Sequence, residues 1–225
     1  MRFKAIVFDL DGTLLDTLAD IGQAMNHALV LHGRKPVPLA GYKQLVGEGV
    51  RRLVENAAPE ATPEELESLL ASFRSFYADH LTATTRPYPG IEAMLAGCAE
   101  RGQQLAVLSN KAHAFTQELV TRLLPDVPFS QVWGERPAQF PRKPDPAAAL
   151  ALCEELGVAP GEVAMVGDTL FDLGCARAAG LSGVGVTWGF RSREELEALG
   201  FDPFPLVDDV PALEAVLAAP RPPSP

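Results

Sequence analysis

At 225 residues the chain has room for roughly one and a half average domains, so one large domain or a core carrying an insertion is expected. Apolar residues make up 47% and charged residues 21%, a mix that excludes a disordered or fibrous protein. Against 19 basic residues stand 29 acidic ones, net −10, which argues against nucleic acid or an anionic membrane as partner.

The N-terminus does not read as a signal peptide: Arg2 and Lys4 precede a short apolar stretch, 5–10, that Asp9 already breaks. No apolar run approaches the roughly 20 residues needed to cross a bilayer. Ala5–Phe8 is continuous and unalternated, as a strand buried on both faces should be. Residues 16–86 then show helical periodicity and no convincing strand. Leu18, Ile21, Met25 and Ala28 recur on one face, as do Leu66, Leu69, Leu70, Phe73 and Phe76. Pro36, Pro38, Pro59 and Pro63 cut the segment into separate helices.

The chain is expected to return to the sheet at 86–90. Further buried-strand runs at 105–108, 163–166 and 183–186 alternate with amphipathic stretches at Ile91–Glu100, 112–124, 146–156 and Leu170–Ala179. This alternation predicts an α/β fold, a Rossmann-like parallel sheet covered by helices on both faces. A lone N-terminal strand needs sheet partners from later in the chain, so the helical segment is read as an insertion. The expected organisation is a discontinuous core of 1–15 and 87–219, an inserted α-helical subdomain of 16–86, and a Pro-rich disordered tail at 220–225. Cys98, Cys153 and Cys175 are widely spaced, with no CxxC pair, and are expected as small core residues in a reducing compartment. A soluble cytoplasmic protein is the expectation.

The chemistry-bearing residues gather where the strands end. In Phe8-Asp9-Leu10-Asp11-Gly12-Thr13, strand alternation points Asp9 and Asp11 the same way at the C-terminal edge, where ligands bind in open α/β sheets. Gly12 allows a sharp turn and Thr13 can donate locally. The run 105–108 leads into Ser109, Asn110 and Lys111, and 163–166 leads into Gly167-Asp168-Thr169-Leu170-Phe171-Asp172. Lys143 stands before a helix, in Arg142-Lys143-Pro144-Asp145-Pro146. Singly, Ser109 and Asp168 read as helix caps and Lys143 as a solvated loop cation. Jointly, in the order Asp–Ser–Lys–Asp, they read as one site.

These motifs resemble the haloacid dehalogenase-like superfamily of phosphotransferases over essentially the full length. The resemblance implies that Asp9 is the nucleophile and Asp11 the general acid/base, with Ser109 and Asn110 holding the transferring phosphoryl group. Lys143 would pair with Asp9 and that group. Mg²⁺ would be held by Asp9, the backbone carbonyl of Asp11, and Asp168, with Asp172 in support. Charge agrees: the four acids bring four negative charges if ionised and Lys143 returns one. A phosphate dianion needs a divalent cation there, and oxygen ligands without sulfur or imidazole suit Mg²⁺. Asp11 also separates phosphate chemistry from carbon–halogen cleavage, whose enzymes in this superfamily lack that acid.

Residues 16–86 resemble the superfamily's small helical cap, which closes over the site and reads the leaving group. Gly47, Glu48 and Gly49 stand at a helix start, where amides can meet an anion, and Arg51 or Arg52 adds positive charge. An ordinary turn with solvated basic residues reads equally well. Residues 39–54, 86–90 and Ser109-Asn110-Lys111 look like the bacterial phosphoglycolate phosphatase group. That likeness implies a small anionic phosphomonoester such as 2-phosphoglycolate, with Lys111 placed to meet a carboxylate. Residues 134–142, with Pro137 and Pro141, depart from that group's pattern. A sugar-phosphate mutase of the same fold and a phospho-accepting signalling receiver remain as alternatives, and the chain is expected as a monomer or homodimer. His113 is expected in the first turn of a helix, and Trp188-Gly189-Phe190 follows a strand beside the cleft.

Overall fold

The first strand, β1 (Ala5–Phe8), has a strand on each edge and core on each face, which is why all four of its residues are apolar and buried. Ala5 and Val7 face one core layer, and Ile6 and Phe8 face the other. The computed structural model describes residues 3–200 and 204–219; the expected disordered tail, 220–225, lies outside them.

After β1 come β2 (Leu15–Asp16), α1 (Leu18–Leu31), α2 (Tyr42–Leu45), α3 (Val50–Ala57), α4 (Pro63–Asp79) and β3 (Arg86–Pro87). The rest of the chain alternates: α5 (Ile91–Glu100), β4 (Gln104–Ala112), α6 (His113–Leu123), β5 (Phe129–Glu135), α7 (Ala147–Leu156), β6 (Val163–Gly167) and α8 (Leu170–Ala179). It closes with β7 (Ser182–Val186), α9 (Arg193–Glu197), β8 (Leu206–Val207) and α10 (Val210–Ala218). Six strands pair in the order β5-β4-β1-β6-β7-β8, every pair parallel. Helices α5, α6 and α10 cover the face of Ile6 and Phe8, and α7 and α8 cover the other. The fold is thus a Rossmann-like α/β sheet with all its strand ends on one edge.

One expectation needs correction. The segment at 86–90 does not rejoin the main sheet; β3 pairs antiparallel with β2, Leu15 opposite Pro87. Pro87 has no N–H to give a ladder, and a two-residue ribbon tolerates that where a central strand does not. The ribbon sits where the helical segment leaves and rejoins the chain. Asp20, buried in the first turn of α1, reinforces the junction. It accepts hydrogen bonds from the amide and hydroxyl of Thr84 (3.0 and 2.5 Å) and of Thr85 (2.8 and 2.7 Å). Burial acts to raise the Asp20 carboxyl, but these donors outweigh it and hold the group below the usual carboxylate range.

Within the helical segment, Ile21, Met25 and Leu29 of α1 and Leu69, Leu70 and Phe73 of α4 belong to one buried apolar cluster. Helix α4 starts on a capping box, Thr62 with Glu65, and Pro63 stands at its first position, where a missing N–H is harmless. Cys98, Cys153 and Cys175 are free and buried. Among the described residues, no helix is long and apolar enough to cross a membrane.

Candidate active site

Beyond Phe8 the chain folds back sharply. The amides of Leu14 and Leu15 both donate to the carbonyl of Leu10 at 3.0 Å, and Gly12 donates to the carbonyl of Leu15 at 2.9 Å. The turn needs a φ of 81° at Gly12, left-handed backbone that only glycine adopts freely. Asp9 and Asp11 are thereby held at the C-terminal edge of the sheet. Neighbouring β4 brings Ser109, Asn110 and Lys111 to the same edge, and β6 brings Asp168.

Lys143 lies at the centre of the cluster, buried. Its ammonium donates to Asp9 Oδ1 (2.8 Å), Asp172 Oδ1 (2.7 Å) and the carbonyl of Leu108 (2.7 Å), which uses all its donors. The other oxygen of Asp172 accepts from the amide (3.0 Å) and hydroxyl (2.6 Å) of Thr169, closing the capping box of α8. Asp168 accepts from the Thr13 hydroxyl (3.1 Å) and the Phe190 amide (2.7 Å). Oxygens of Asp9, Asp168 and Asp172 all lie within 4.8 Å of one another.

Burial pushes the Asp9 carboxyl up to about 6 against the pull of Lys143, with Asp172 and Asp11 adding to the rise. Burial also raises Asp168 well above its usual range, and Asp172 and Asp9 raise it further. For Lys143, burial opposes the charge, but Asp172 and Asp9 outweigh it and hold the ammonium above its ordinary value. One lysine among three buried carboxylates leaves the cluster short of positive charge. A divalent cation with a preference for oxygen ligands fits that shortage and that donor set. Two glycines keep the space open: a Cβ at Gly12 would lie 2.5 Å from Asp168 Oδ2, and one at Gly189 would collide with Asp168 and the Gly12 carbonyl.

Above the cluster is a cavity of about 60 Å³. Asp9, Asp11, Ser109 and Lys111 line its sheet side, while Ile21, Val46, Val50, Leu53 and Phe73 of the helical segment line the other. Lys111 donates to both oxygens of Asp11 at 3.1 Å and stands 4.6 Å from the Tyr77 ring centroid. Burial works against its charge, but Asp11 holds the ammonium above its ordinary value.

The chain has counterparts among known proteins. Residues 6–186 match the haloacid dehalogenase-like hydrolases. The chain belongs to that family. It is 37% identical over 228 residues to a phosphoglycolate phosphatase of Rhodospirillum rubrum, spanning 97% of this chain and 92% of the relative. It is 38% identical over 193 residues to one of Neisseria meningitidis, spanning 83% and 81%. A crystal structure of a predicted phosphoglycolate phosphatase from Haemophilus somnus superposes with a TM-score of 0.87 at 29% identity, covering 96% of this chain and 98% of that one. These relatives are phosphatases, and this chain is a phosphatase of the same family.

Within this haloacid dehalogenase-like hydrolase, the residues expected to read a leaving group divide. Gly49 borders the cavity, but Arg51 does not: it is exposed and pairs with Glu67 at 2.6 Å. Helix phase is the reason. Val50, Leu53 and Val54 form the inward face of α3, so Arg51 and Arg52 fall outside it. The Glu48 carboxylate is also exposed, 3.9 Å from Arg52. The Asn110 carboxamide donates to the carbonyls of Gly47 (3.0 Å) and Lys143 (3.1 Å) and accepts from the Lys143 amide (2.9 Å), so its side chain is fully engaged within the protein. Lys111 is not a free cation at the mouth but is buried against Asp11. His113 opens α6 as expected, its Nδ1 accepting from the Gly134 amide at 3.1 Å.

The sequence puts Trp188-Gly189-Phe190 beside the cleft, and the structure adds what it does not show: the Phe190 amide and Gly189 are walls around Asp168. Both follow β7, whose end falls on the same edge.

Proposed function

We propose that this phosphatase hydrolyses a small, carboxylate-bearing phosphomonoester through an aspartyl-phosphate intermediate with Mg²⁺, and that its substrate is 2-phosphoglycolate. In this reading, 1–15 with 87–219 form the catalytic core and 16–86 form the cap. The observation that carries it is the cavity itself. Asp9 and Asp11 face a space of about 60 Å³ in which Lys111 is the cation among the lining residues. A space so confined suits a leaving group of a few atoms better than a sugar. The names of the relatives point to the same ester.

Asp9 attacks phosphorus, the bond to the ester oxygen breaks, and Asp11 gives that oxygen a proton. Asp11 then takes a proton from the water that attacks the phosphoaspartate, releasing phosphate and restoring Asp9. Lys143 fixes the Asp9 carboxylate at 2.8 Å and leaves its other oxygen for the attack. The Ser109 hydroxyl and the main-chain amide of Asn110 offer hydrogen bonds to the phosphoryl oxygens. Asp9, Asp168 and the carbonyl of Asp11, with Asp172 behind them, are the residues to hold Mg²⁺, which supplies Lewis-acid neutralisation of the phosphoryl charge when bound. Lys111, paired with Asp11 in this structure, would turn to the substrate carboxylate when the ester binds, freeing Asp11 to carry its proton.

The test compares 2-phosphoglycolate with ethyl phosphate, which lacks the carboxylate. Lys111→Met should lower kcat/KM for phosphoglycolate about 30-fold more than for ethyl phosphate, the loss expected when one partner of a desolvated charge pair is removed. A ratio between the two esters that the substitution leaves unchanged would refute the carboxylate reading.

A further inference from the structure

The segment 134–142 contributes a side chain that crosses to the helical segment. Arg142 is fixed by Glu135 at the end of β5 (Nε to Oε1, 2.6 Å) and donates through Nη1 to the main-chain carbonyl of Glu48 at 3.0 Å. Two more core side chains grip the same loop. Asn110 donates to the Gly47 carbonyl at 3.0 Å. Arg191, buried after β7, donates to the carbonyls of Lys43 and Val46, the latter at 3.3 Å. Four carbonyls between Lys43 and Glu48 are therefore held by side chains from three separate places in the core.

The loop is shaped for this grip. Gly47 has φ 125° and Gly49 φ 82°. A Cβ on Gly49 would stand 3.1 Å from both Arg142 Nε and the Asn110 carbonyl. The glycines that looked like an anion-binding loop thus also give core side chains room to reach main chain. None of the gripped atoms belongs to a cap side chain that lines the cavity.

We propose that Arg142 and Arg191, with Asn110 between them, are a latch that sets closure of the cap loop 43–49 over the cavity. Arg142, Arg191 and the Asn110 carboxamide act by position: these side chains hold main chain and touch no reacting atom. Because the latch grips only backbone, it favours closure by the same factor whatever ester is bound. Its loss is a common factor across substrates, whereas loss of Lys111 changes their ratio. The kinetic part rests on the phosphatase reading proposed above; the loop measurement does not.

The experiment uses the full chain with Arg142→Met, Arg191→Met, Arg142→Lys and Gly49→Ala, the last approaching the same contact from the cap side. Amide hydrogen exchange over 43–50 is read beside exchange in β1 and β4. Arg142→Met, Arg191→Met and Gly49→Ala should each speed exchange in the loop about tenfold, the factor expected for one charge-assisted hydrogen bond, and leave the strands unchanged. In kinetics, kcat/KM should fall by a similar factor for 2-phosphoglycolate and ethyl phosphate alike, mainly through KM, with Arg142→Lys restoring part of it. Loop exchange unchanged in both Arg→Met chains would overturn the latch, as would a loss confined to one ester. Failure of the wild type to turn over either ester would sink the substrate reading and leave the exchange result to decide the latch alone.

Discussion

Replacing Asp9 with Asn removes the proposed nucleophile and also a buried charge that the folded chain carries at a cost. The Asp9 carboxyl ionises at about 6 in the folded chain and near 3.8 when exposed. The difference amounts to about 3 kcal/mol against the folded state at pH 7.5. The sign follows from proton binding: the folded chain holds this proton more tightly than the unfolded one. Its contribution is therefore favourable below pH 4 and is lost as pH rises through 6. Asn carries no charge at any pH and can turn its carbonyl toward Lys143, which keeps Asp172 and the Leu108 carbonyl. With a chelator present at pH 7.5, Asp9→Asn should melt higher than wild type by roughly 6–12 °C, the shift that about 3 kcal/mol gives a chain of this size. The gap should close toward pH 4, and Mg²⁺ should narrow it by stabilising only the wild type. Turnover should be abolished throughout. An Asn variant no more stable than wild type at pH 7.5 in chelator, or a gap indifferent to pH, would refute the charge-shortage argument.

Two further substitutions probe the walls of the site and the junction where the helical segment leaves and rejoins the chain. Gly189→Ala places a methyl against Asp168 and the Gly12 carbonyl, so it should cost about 1–3 kcal/mol and abolish the Mg²⁺-dependent rise in Tm. Gly161→Ala, with open space around its added carbon, is the control, and equal melting of the two chains would show that the Asp168 cradle is not tight. Asp20→Ala strands the amides and hydroxyls of Thr84 and Thr85 and should cost about 3 kcal/mol in urea unfolding at neutral pH. Because the Asp20 carboxyl is held below its ordinary value, its stabilisation is present above about pH 4 and is lost in stronger acid. The deficit of the variant should shrink there, and a constant deficit would contradict the carboxylate's role.

What the sequence made legible follows from where information is concentrated. A strand buried on both faces is a run of apolar letters, and in a parallel sheet every such run ends on the same edge, so Asp9, Asp11, Ser109 and Asp168 could be gathered from pattern alone. The strand β5 escaped because it lies at the edge, half-buried, and its residues Phe-Ser-Gln-Val-Trp-Gly-Glu mix polar and apolar without a clean period. The strand β8 escaped because two residues carry no period at all. Charge at a helix start suggests Arg51 or Arg52 for the site, but Val50, Leu53 and Val54 mark the inner face of that helix and put Arg51 outside it.

The contacts of Arg142 and Arg191 belong to a kind that no letter announces, since every residue has a carbonyl and the loop's own side chains are not what is gripped. Ile21, Val46, Val50, Leu53 and Phe73 give it an apolar roof, while charge enters from the sheet side through Asp9, Asp11 and Lys111. On the proposed reading, a substitution in that roof changes the volume left for the leaving group, and a substitution at Lys111 changes the charge it must bear. Under that reading, size and charge selection come from different elements of the fold, and each can vary while the Asp9–Lys143–Asp172 arrangement at the strand ends stays as it is.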